Sequence, residues 1–437
     1  MTDVRRMLAG LGLGLTMTAG ALAPVVANAA DDTIKVGILH SLSGTMAISE
    51  TTLKDTMLYL IDEQNKKGGL LGKKLEPVVV DPASDWPLFA EKARELISQD
   101  KVAAVFGCWT SVSRKSVLPV FKELNSILFY PVQYEGEESE KNVIYTGAAP
   151  NQQAIPAVDY LMSEEGGSVK RWVLEATDYV YPRTTNKILE QYLKDKGVPA
   201  EDIRVNYTPF GFSDWQTEVA AIKEFGSAGK KTAVVSTVNG DANVPFYKEL
   251  ANQGIKAEDI PVVAFSVGEE ELSGMDTANL VGHLAAWNYF QSVDTPANKA
   301  FIDGWHAFIK NDKRTTNDPM EAAYIGFNLW VKAVEKAGTT DTDAVLKAIV
   351  GLEVPNLTGG TAKLLPNHHL TKPVLIGEIQ ADGQFDIVWQ TPDTVPGDAW
   401  SDALPEDKGI EADWTDPVNG CGHFDTATKT CTTAPAP

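Results

Sequence analysis

The chain is expected to be an α/β protein of two doubly wound lobes of similar size. Apolar strand-like runs alternate with amphipathic helical stretches along most of the 437 residues, the pattern of stacked βαβ units. The alternation falls into two series parted by a turn at Gly147–Asn151. Without a leader the chain has about 400 residues, more than one hydrophobic core serves.

In the first series Ile34–Leu39 (IKVGIL) reads as a strand. Ser49–Lys67 follows as a helix stopped by Gly68-Gly69, because glycine closes a helix in the left-handed conformation without steric cost. Leu75–Val80 is a strand, Trp86–Gln99 a helix, Val102–Phe106 a strand, Ser113–Leu124 a helix and Ile127–Tyr130 a strand. In the second series helix Gln152–Glu165 leads to strand Arg171–Glu175, and helix Thr184–Lys196 to strand Ile203–Tyr207. Helix Asp214–Phe225 precedes strand Thr232–Thr237, and helix Val244–Gln253 precedes strand Pro261–Phe265. From His283–Asn288 the chain is expected to return to the first lobe, with helices at Pro296–Lys310, Pro319–Ala337 and Thr342–Val350. Asn356–Gln390 reads as β-ribbon with Asp382-Gly383 as a hairpin turn. From Thr391 onward Pro, Asp, Gly and Thr dominate, the composition of a surface tail.

Residues 1–29 read as a cleaved signal peptide. Arg5 and Arg6 precede an apolar run from Met7 to Val26, and Ala27-Asn28-Ala29 is a small-x-small cleavage site. The paired arginines leave a twin-arginine route open beside the general one. No cysteine stands near the cleavage site, and no later run reaches the length of a membrane span. The mature protein is therefore expected outside the cytoplasm. Its formal charge of −21 is spread along the chain, which argues against nucleic acid or an anionic membrane as partner. Cys421 and Cys431 lie close together in the polar tail and are expected to form a disulfide in an oxidising compartment. Cys108 is left over, and reads as a buried, inert thiol.

Two strand ends carry the chemistry. Gly107–Ser113 (GCWTSVS) and Phe129–Gly136 (FYPVQYEG) each follow an apolar run, and open α/β sheets bind ligands at the carboxyl ends of their strands. The groups offered are hydroxyls, phenols and an indole, suited to holding a small neutral polar molecule. No zinc-ligand spacing, G-x-S-x-G elbow or H-E-x-x-H is present. Gly226–Thr232 (GSAGKKT) has the wrong spacing and order for a phosphate loop. No metal, cofactor or catalytic residue is expected, and the chain does not read as an enzyme.

Longer motifs carry a family resemblance. KVGILHSLSGTMA, GGLLGKKLEPVVVDPASD and VFGCWTS resemble type I periplasmic solute-binding proteins. FGCWTSVSRKSVLPVF, FYPVQYEG, YTGAAPNQQ, DYVYPRTTNKI, VNGDANVPFY, GHLAAWNYFQSVDTP, DPMEAAYIG and NHHL are similar to the urea-binding subunits of bacterial ABC urea transporters. The likeness runs from about Ile34 to Gln390, and the amide sensor of amidase operons shares the framework. It implies two Rossmann-like lobes joined by three crossover strands, with ligand in the cleft and hinge closure around it. Residues 30–148 with about 286–352 would then form the N-terminal lobe, and 149–285 with about 353–390 the C-terminal lobe. Residues 391–437 would be a C-terminal tail. The third crossing is expected near Leu352–Gly360.

The resemblance also implies a periplasmic receptor that delivers urea to the permease subunits of an ABC importer, and a monomer is expected. Urea has one carbonyl acceptor and four N–H donors, so its site needs several acceptors and a donor or two. Ser111 faces the ligand by resemblance to the amide sensor, and capping the next helix is its other reading. Trp109 and Thr110 flank it, Trp109 as cleft wall or as ordinary core. The family places the Tyr130 phenol at the ligand, although Val132 stands where the amide sensor has threonine. Thr177, Tyr179 and Tyr181 end the first strand of the second lobe, and TDYVYP matches the family's ligand-closing segment. Asp241 follows a strand end and either accepts urea N–H groups or caps a helix. Glu269 in VGEEEL is a further acceptor, or a solvated helix start. The competing ligands are short aliphatic amides or amino acids. A secreted amide hydrolase is the reading from another class, and it lacks a nucleophile with a base.

Overall fold

A computed structural model describes residues 33–404, 423–425 and 430–432. The expected leader and Cys421 lie outside the described residues, so the Cys421–Cys431 pairing does too.

The first lobe is built on β1 (Thr33–Leu39), α1 (Ala47–Lys66), β2 (Lys74–Val80), α2 (Trp86–Ser98), β3 (Val105–Gly107), α3 (Ser111–Leu124), β4 (Leu128–Tyr130) and β5 (Val143–Tyr145). Its five strands run in the order β2-β1-β3-β4-β5, and every pair is parallel. β3, β4 and β5 are buried throughout, as strands covered by helices on both faces must be. Gly107 ends β3 where the backbones of β1 and β3 converge; a Cβ there would lie 2.4 Å from the Leu39 carbonyl oxygen. β5 was not foreseen, because Val-Ile-Tyr is too short to show a period.

The second lobe begins with α4 (Ala154–Met162), β6 (Arg171–Thr177), α5 (Val180–Asp195), β7 (Ile203–Thr208), α6 (Gln216–Gly226), β8 (Thr232–Thr237), α7 (Asn243–Asn252), β9 (Val262–Ala264), α8 (Glu269–Leu272) and β10 (Leu284–Trp287). The chain then packs α9 (Pro296–Ile309), α10 (Asp318–Ala337) and α11 (Thr342–Ile349) against the first lobe's core. It continues as a hairpin of β11 (Glu353–Pro355) and β12 (Thr361–Lys363), then β13 (Thr371–Lys372), β14 (Leu375–Ile379), β15 (Phe385–Gln390) and β16 (Val395–Pro396). The second sheet runs β15-β14-β10-β9-β8-β6-β7. Its central strands are parallel, with β14 and β15 added antiparallel at one side. Alternate residues face opposite layers. Val173, Val234 and Val262 pack with Phe246 and Leu250, whereas Trp172, Leu174, Val235 and Val263 pack with Leu161 and Leu189. No helix among the described residues is long and apolar enough to cross a membrane.

Three connections join the lobes, after β5, after β10 and before β14. One side chain ties them together: the Asn288 amide donates to the Gln152 carbonyl at 3.0 Å and to the Pro373 carbonyl at 2.7 Å. The third connection falls between His369, which bridges to Tyr145 beside the first sheet, and Leu375 in the second. This is later than the Leu352–Gly360 expected, because Val354, Leu357, Ala362 and Leu364 fill the first lobe's core. Residues after Thr391 also depart from a bare surface tail. β16 pairs with β13, Ala399 and Leu404 are buried, and the Ser401 N–H donates to Glu137 at 2.8 Å.

Candidate functional site

The strand ends of the two sheets face each other, and the lobes touch directly. The Gln133 amide donates to Ser266 Oγ at 2.8 Å, and the Trp109 indole N–H to Asn239 Oδ1 at 3.4 Å. Ser49 Oγ donates to Glu271 at 2.5 Å. The Asp241 N–H donates to the Thr45 carbonyl at 3.2 Å. Gly240 allows this approach: its φ is 69°, and a Cβ would stand 2.6 Å from the Thr45 oxygen.

On the first lobe the site is made by the β3–α3 turn and the end of β4. Thr110 caps α3: its hydroxyl accepts from the Ser113 N–H at 3.1 Å. That frees Ser111, the first helical residue, from the capping role the sequence offered it. The Ser111 hydroxyl donates to the Glu135 carboxylate and accepts from Arg114 Nη1 at 3.0 Å. Trp109 is buried, and its carbonyl accepts from the Tyr130 hydroxyl. Tyr130 lies under the Arg114 guanidinium, 4.7 Å from ring centre to Cζ. Burial, partly offset by Arg114, pushes its phenol well above the usual range.

On the second lobe Thr177 ends β6 and accepts from the Asn239 N–H at 3.0 Å. Tyr179 and Tyr181 open α5 and are both buried, packed into the first lobe's core with Val180. α5 starts earlier than its sequence period suggests, since Pro182 is tolerated in a first turn. The Tyr179 ring leans on Phe210 at 4.7 Å. Burial raises its phenol, and Tyr181, Tyr130 and Glu135 are close enough to raise it further. The Tyr181 hydroxyl is buried beside Gln133 and Ser266 without closing a hydrogen bond of ordinary geometry.

Ser111, Trp109, Tyr130, Thr177, Tyr179 and Tyr181 thus come together at the lobe junction, with Thr110 supporting them from the cap. Asp241 lies apart at the rim: its backbone joins the junction while its side chain is exposed. Glu269 is buried at the start of α8, where one carboxylate oxygen accepts from the Gln291 N–H at 2.7 Å and the other has no partner. Burial pushes it up to about 8, with the nearby Glu271 and Asp318 adding to the rise.

Sequence reasoning passed over Gln133, Glu135 and Arg114. Arg114 is fully buried, and donates to Glu138 at 2.8 Å and Glu135 at 3.1 Å. Lys115 pairs with Glu138 at 2.6 Å. A signal existed: two adjacent cations in the first turn of α3 oppose the helix dipole, so such a turn needs carboxylates beside it. FYPVQYEGEES supplies them at Glu135 and Glu138.

The periplasmic binding protein domain family model matches residues 34–406. Leu/Ile/Val-binding protein homolog 7 of Brucella melitensis is 24% identical over 396 residues, 86% of this chain and 96% of that one. A limonene hydroxylase of Geobacillus stearothermophilus is 31% identical over 122 residues, 28% of this chain and 22% of that protein's length. Among solved structures, a solute-binding protein of an ABC transporter from R. palustris in complex with benzoate superposes with a TM-score of 0.72. It is 19% identical and covers 84% of this chain and 99% of its own.

Proposed function

The chain belongs to the periplasmic binding protein domain family, and from that premise we propose that it is a urea receptor that closes two lobes around its ligand. It then delivers the urea to the permease of an ABC importer. The observation that carries this reading is the chemistry of the junction. Ser111, Tyr130, Tyr179 and Tyr181 bring four hydroxyls to one buried place, and the cations behind them, Arg114 and Lys115, are already engaged by Glu135 and Glu138. A neutral, donor-rich ligand suits such a place, and an unpaired polar atom left there costs about 1–3 kcal/mol. The protein works as a monomeric receptor in the periplasm, exported by residues 1–29, with no cofactor, metal or catalytic role. Asp241 joins the ligand only as a rim acceptor.

A second reading is favoured by Glu269, whose unpartnered buried oxygen would accept an ammonium group. With it the ligand becomes a small amino acid, in line with the relative named for leucine, isoleucine and valine. Calorimetric titration of the unliganded mature protein with urea, acetamide, leucine and benzoate separates the two. Saturable one-to-one binding of urea, with leucine and benzoate silent, is the expected result. Leucine binding without urea binding transfers the proposal to amino acids, and ammonia release from urea by the purified protein would replace a receptor with an enzyme.

A further inference from the structure

We propose that Glu135 is a specificity-determining residue: standing behind Ser111, it takes up that hydroxyl's single proton and turns the first-lobe wall into an acceptor surface that admits neutral N–H-rich ligands and rejects carboxylates. The inference rests on the reading that the lobe junction holds the ligand, and it names what that junction selects.

The argument is an inventory of protons. A serine hydroxyl has one proton to donate and two lone pairs with which to accept. Ser111 donates to Glu135, and one of its lone pairs accepts from Arg114 Nη1 at 3.0 Å. One lone pair remains, and no proton. The roles cannot reverse while Arg114 holds Glu135, because a carboxylate facing a guanidinium is an acceptor only. The neighbouring phenol obeys the same rule. Tyr130 donates to the Trp109 carbonyl, and a carbonyl oxygen has nothing to give back. Both hydroxyls therefore meet a ligand as acceptors, each fixed by an acceptor buried behind it.

The support for Glu135 is itself rigid. Arg114 lies between the Tyr130 and Tyr134 rings, 4.7 Å from each centre, and its Nε donates to Glu138 at 2.8 Å. Tyr145 also donates to Glu138, and Lys115 closes the group at 2.6 Å. A carboxylate brought to Ser111 would meet an oxygen with no proton and a second negative charge behind it. Urea instead brings N–H groups to Ser111 and Tyr130, and its carbonyl is left for the Ser111 and Val112 N–H groups that open α3, since Thr110 already takes that of Ser113.

The test compares near-isosteric ligands in the intact mature chain. Wild-type protein is titrated with urea and acetamide, then challenged with acetate, and the same series is run on Glu135→Gln and Ser111→Ala. Wild-type protein is expected to bind urea and acetamide and to ignore acetate at about 100-fold excess. In Glu135→Gln the serine proton is released toward the ligand. Urea should weaken about tenfold, while the preference for urea over acetate narrows by at least tenfold. Ser111→Ala keeps the Arg114–Glu135 pair and should lose about tenfold in urea affinity with no gain for acetate. An unchanged urea-to-acetate ratio in Glu135→Gln overturns the proposal. If that variant does not fold, wild-type protein decides: acetate binding as tightly as acetamide overturns it. Failure of wild-type protein to bind either urea or acetamide removes the functional reading and this proposal with it, a result distinct from an unchanged ratio in a protein that binds urea.

Discussion

Behind Ser111 the buried Glu135 and Glu138 face Arg114 and Lys115. At α8 and the start of α10 lie the equally buried Glu269, Glu271, Asp318 and Glu321, and among the described residues the cation paired with this group is Lys372, 3.3 Å from Glu321. The two groups differ in cations, not in burial. Burial would raise the Glu138 carboxyl, yet Arg114 and Lys115 bring it down to about 2. Burial pushes Glu271 up to about 7 despite the Ser49 hydroxyl, and raises Asp318 and Glu321 despite Lys372. The first group is a fixed charged support behind the Ser111 hydroxyl. The second resists ionisation, and its Glu271 does so where α1 of one lobe meets α8 of the other.

The largest test of that contrast removes one cation from each group. Arg114→Met leaves the buried Glu135 without a cation and Glu138 with Lys115 alone, and breaking a buried pair in this way costs about 3–5 kcal/mol. Lys372→Met leaves acids that are already disposed to protonate, so the expected loss is smaller, about 1–3 kcal/mol for the hydrogen bond to Thr146 and the weakened pair. Urea denaturation is unsuitable for a proposed urea receptor, so guanidinium melts should measure both. Equal losses would erase the distinction.

The pH profile sharpens it from the other side. Glu269 and Glu271 have folded pKa values of about 8 and about 7, above the ordinary 4.5. The folded state therefore holds protons that the unfolded chain gives up, and stability falls as pH rises from about 4.5 to about 8. Glu138 works in the opposite sense. Its stabilisation is present above 4.5 and is lost as pH falls through about 2. Glu269→Gln should flatten the neutral-side decline and melt higher than wild type at pH 8, whereas Glu138→Gln should lower stability throughout the neutral range and remove its share of the acid-side decline. Parallel profiles for wild type and Glu269→Gln would mean that Glu269 titrates alike folded and unfolded.

The second-lobe face of the site gives a smaller effect. Tyr179→Phe removes a buried hydroxyl near Tyr130 and Glu135 but keeps the ring against Phe210. Urea affinity should fall by about 1–3 kcal/mol with little change in melting temperature. Unchanged affinity would remove Tyr179 from the site and leave recognition to the first-lobe wall.

Much of this was legible in the chain. Alternating apolar strands and helices indicated both lobes, because buried parallel strands are apolar on both faces. That Ser111, Tyr130 and Tyr179 lie just beyond strand ends was legible from the apolar runs before them, while their assignment to a ligand came from the family resemblance. What stayed hidden depends on long-range pairing. β5 is three residues long, and only its place beside β4 makes it a strand. Glu135 lies 24 residues from Ser111, and no local period joins a loop acid to a helix start. The hairpin of β11 and β12 reads as ribbon by composition, yet Val354 and Ala362 pack into the first lobe, which moves the third connection later.

The smallest expected change concerns the bond that spans the two faces without charge. Gln133 Nε2 donates to Ser266 Oγ at 2.8 Å, and Gln133 Oε1 is buried without a partner. A neutral hydrogen bond of this kind contributes about 0.5–1.5 kcal/mol, and only while the lobes are together. Gln133→Ala should therefore weaken ligand binding about threefold to tenfold through faster release, since the bond opposes opening. It should leave guanidinium stability nearly unchanged and keep the pH profile of the acids at α8. A large loss of stability would show that Gln133 supports the first lobe itself, and the neutral bond would then belong with the fixed group around Arg114.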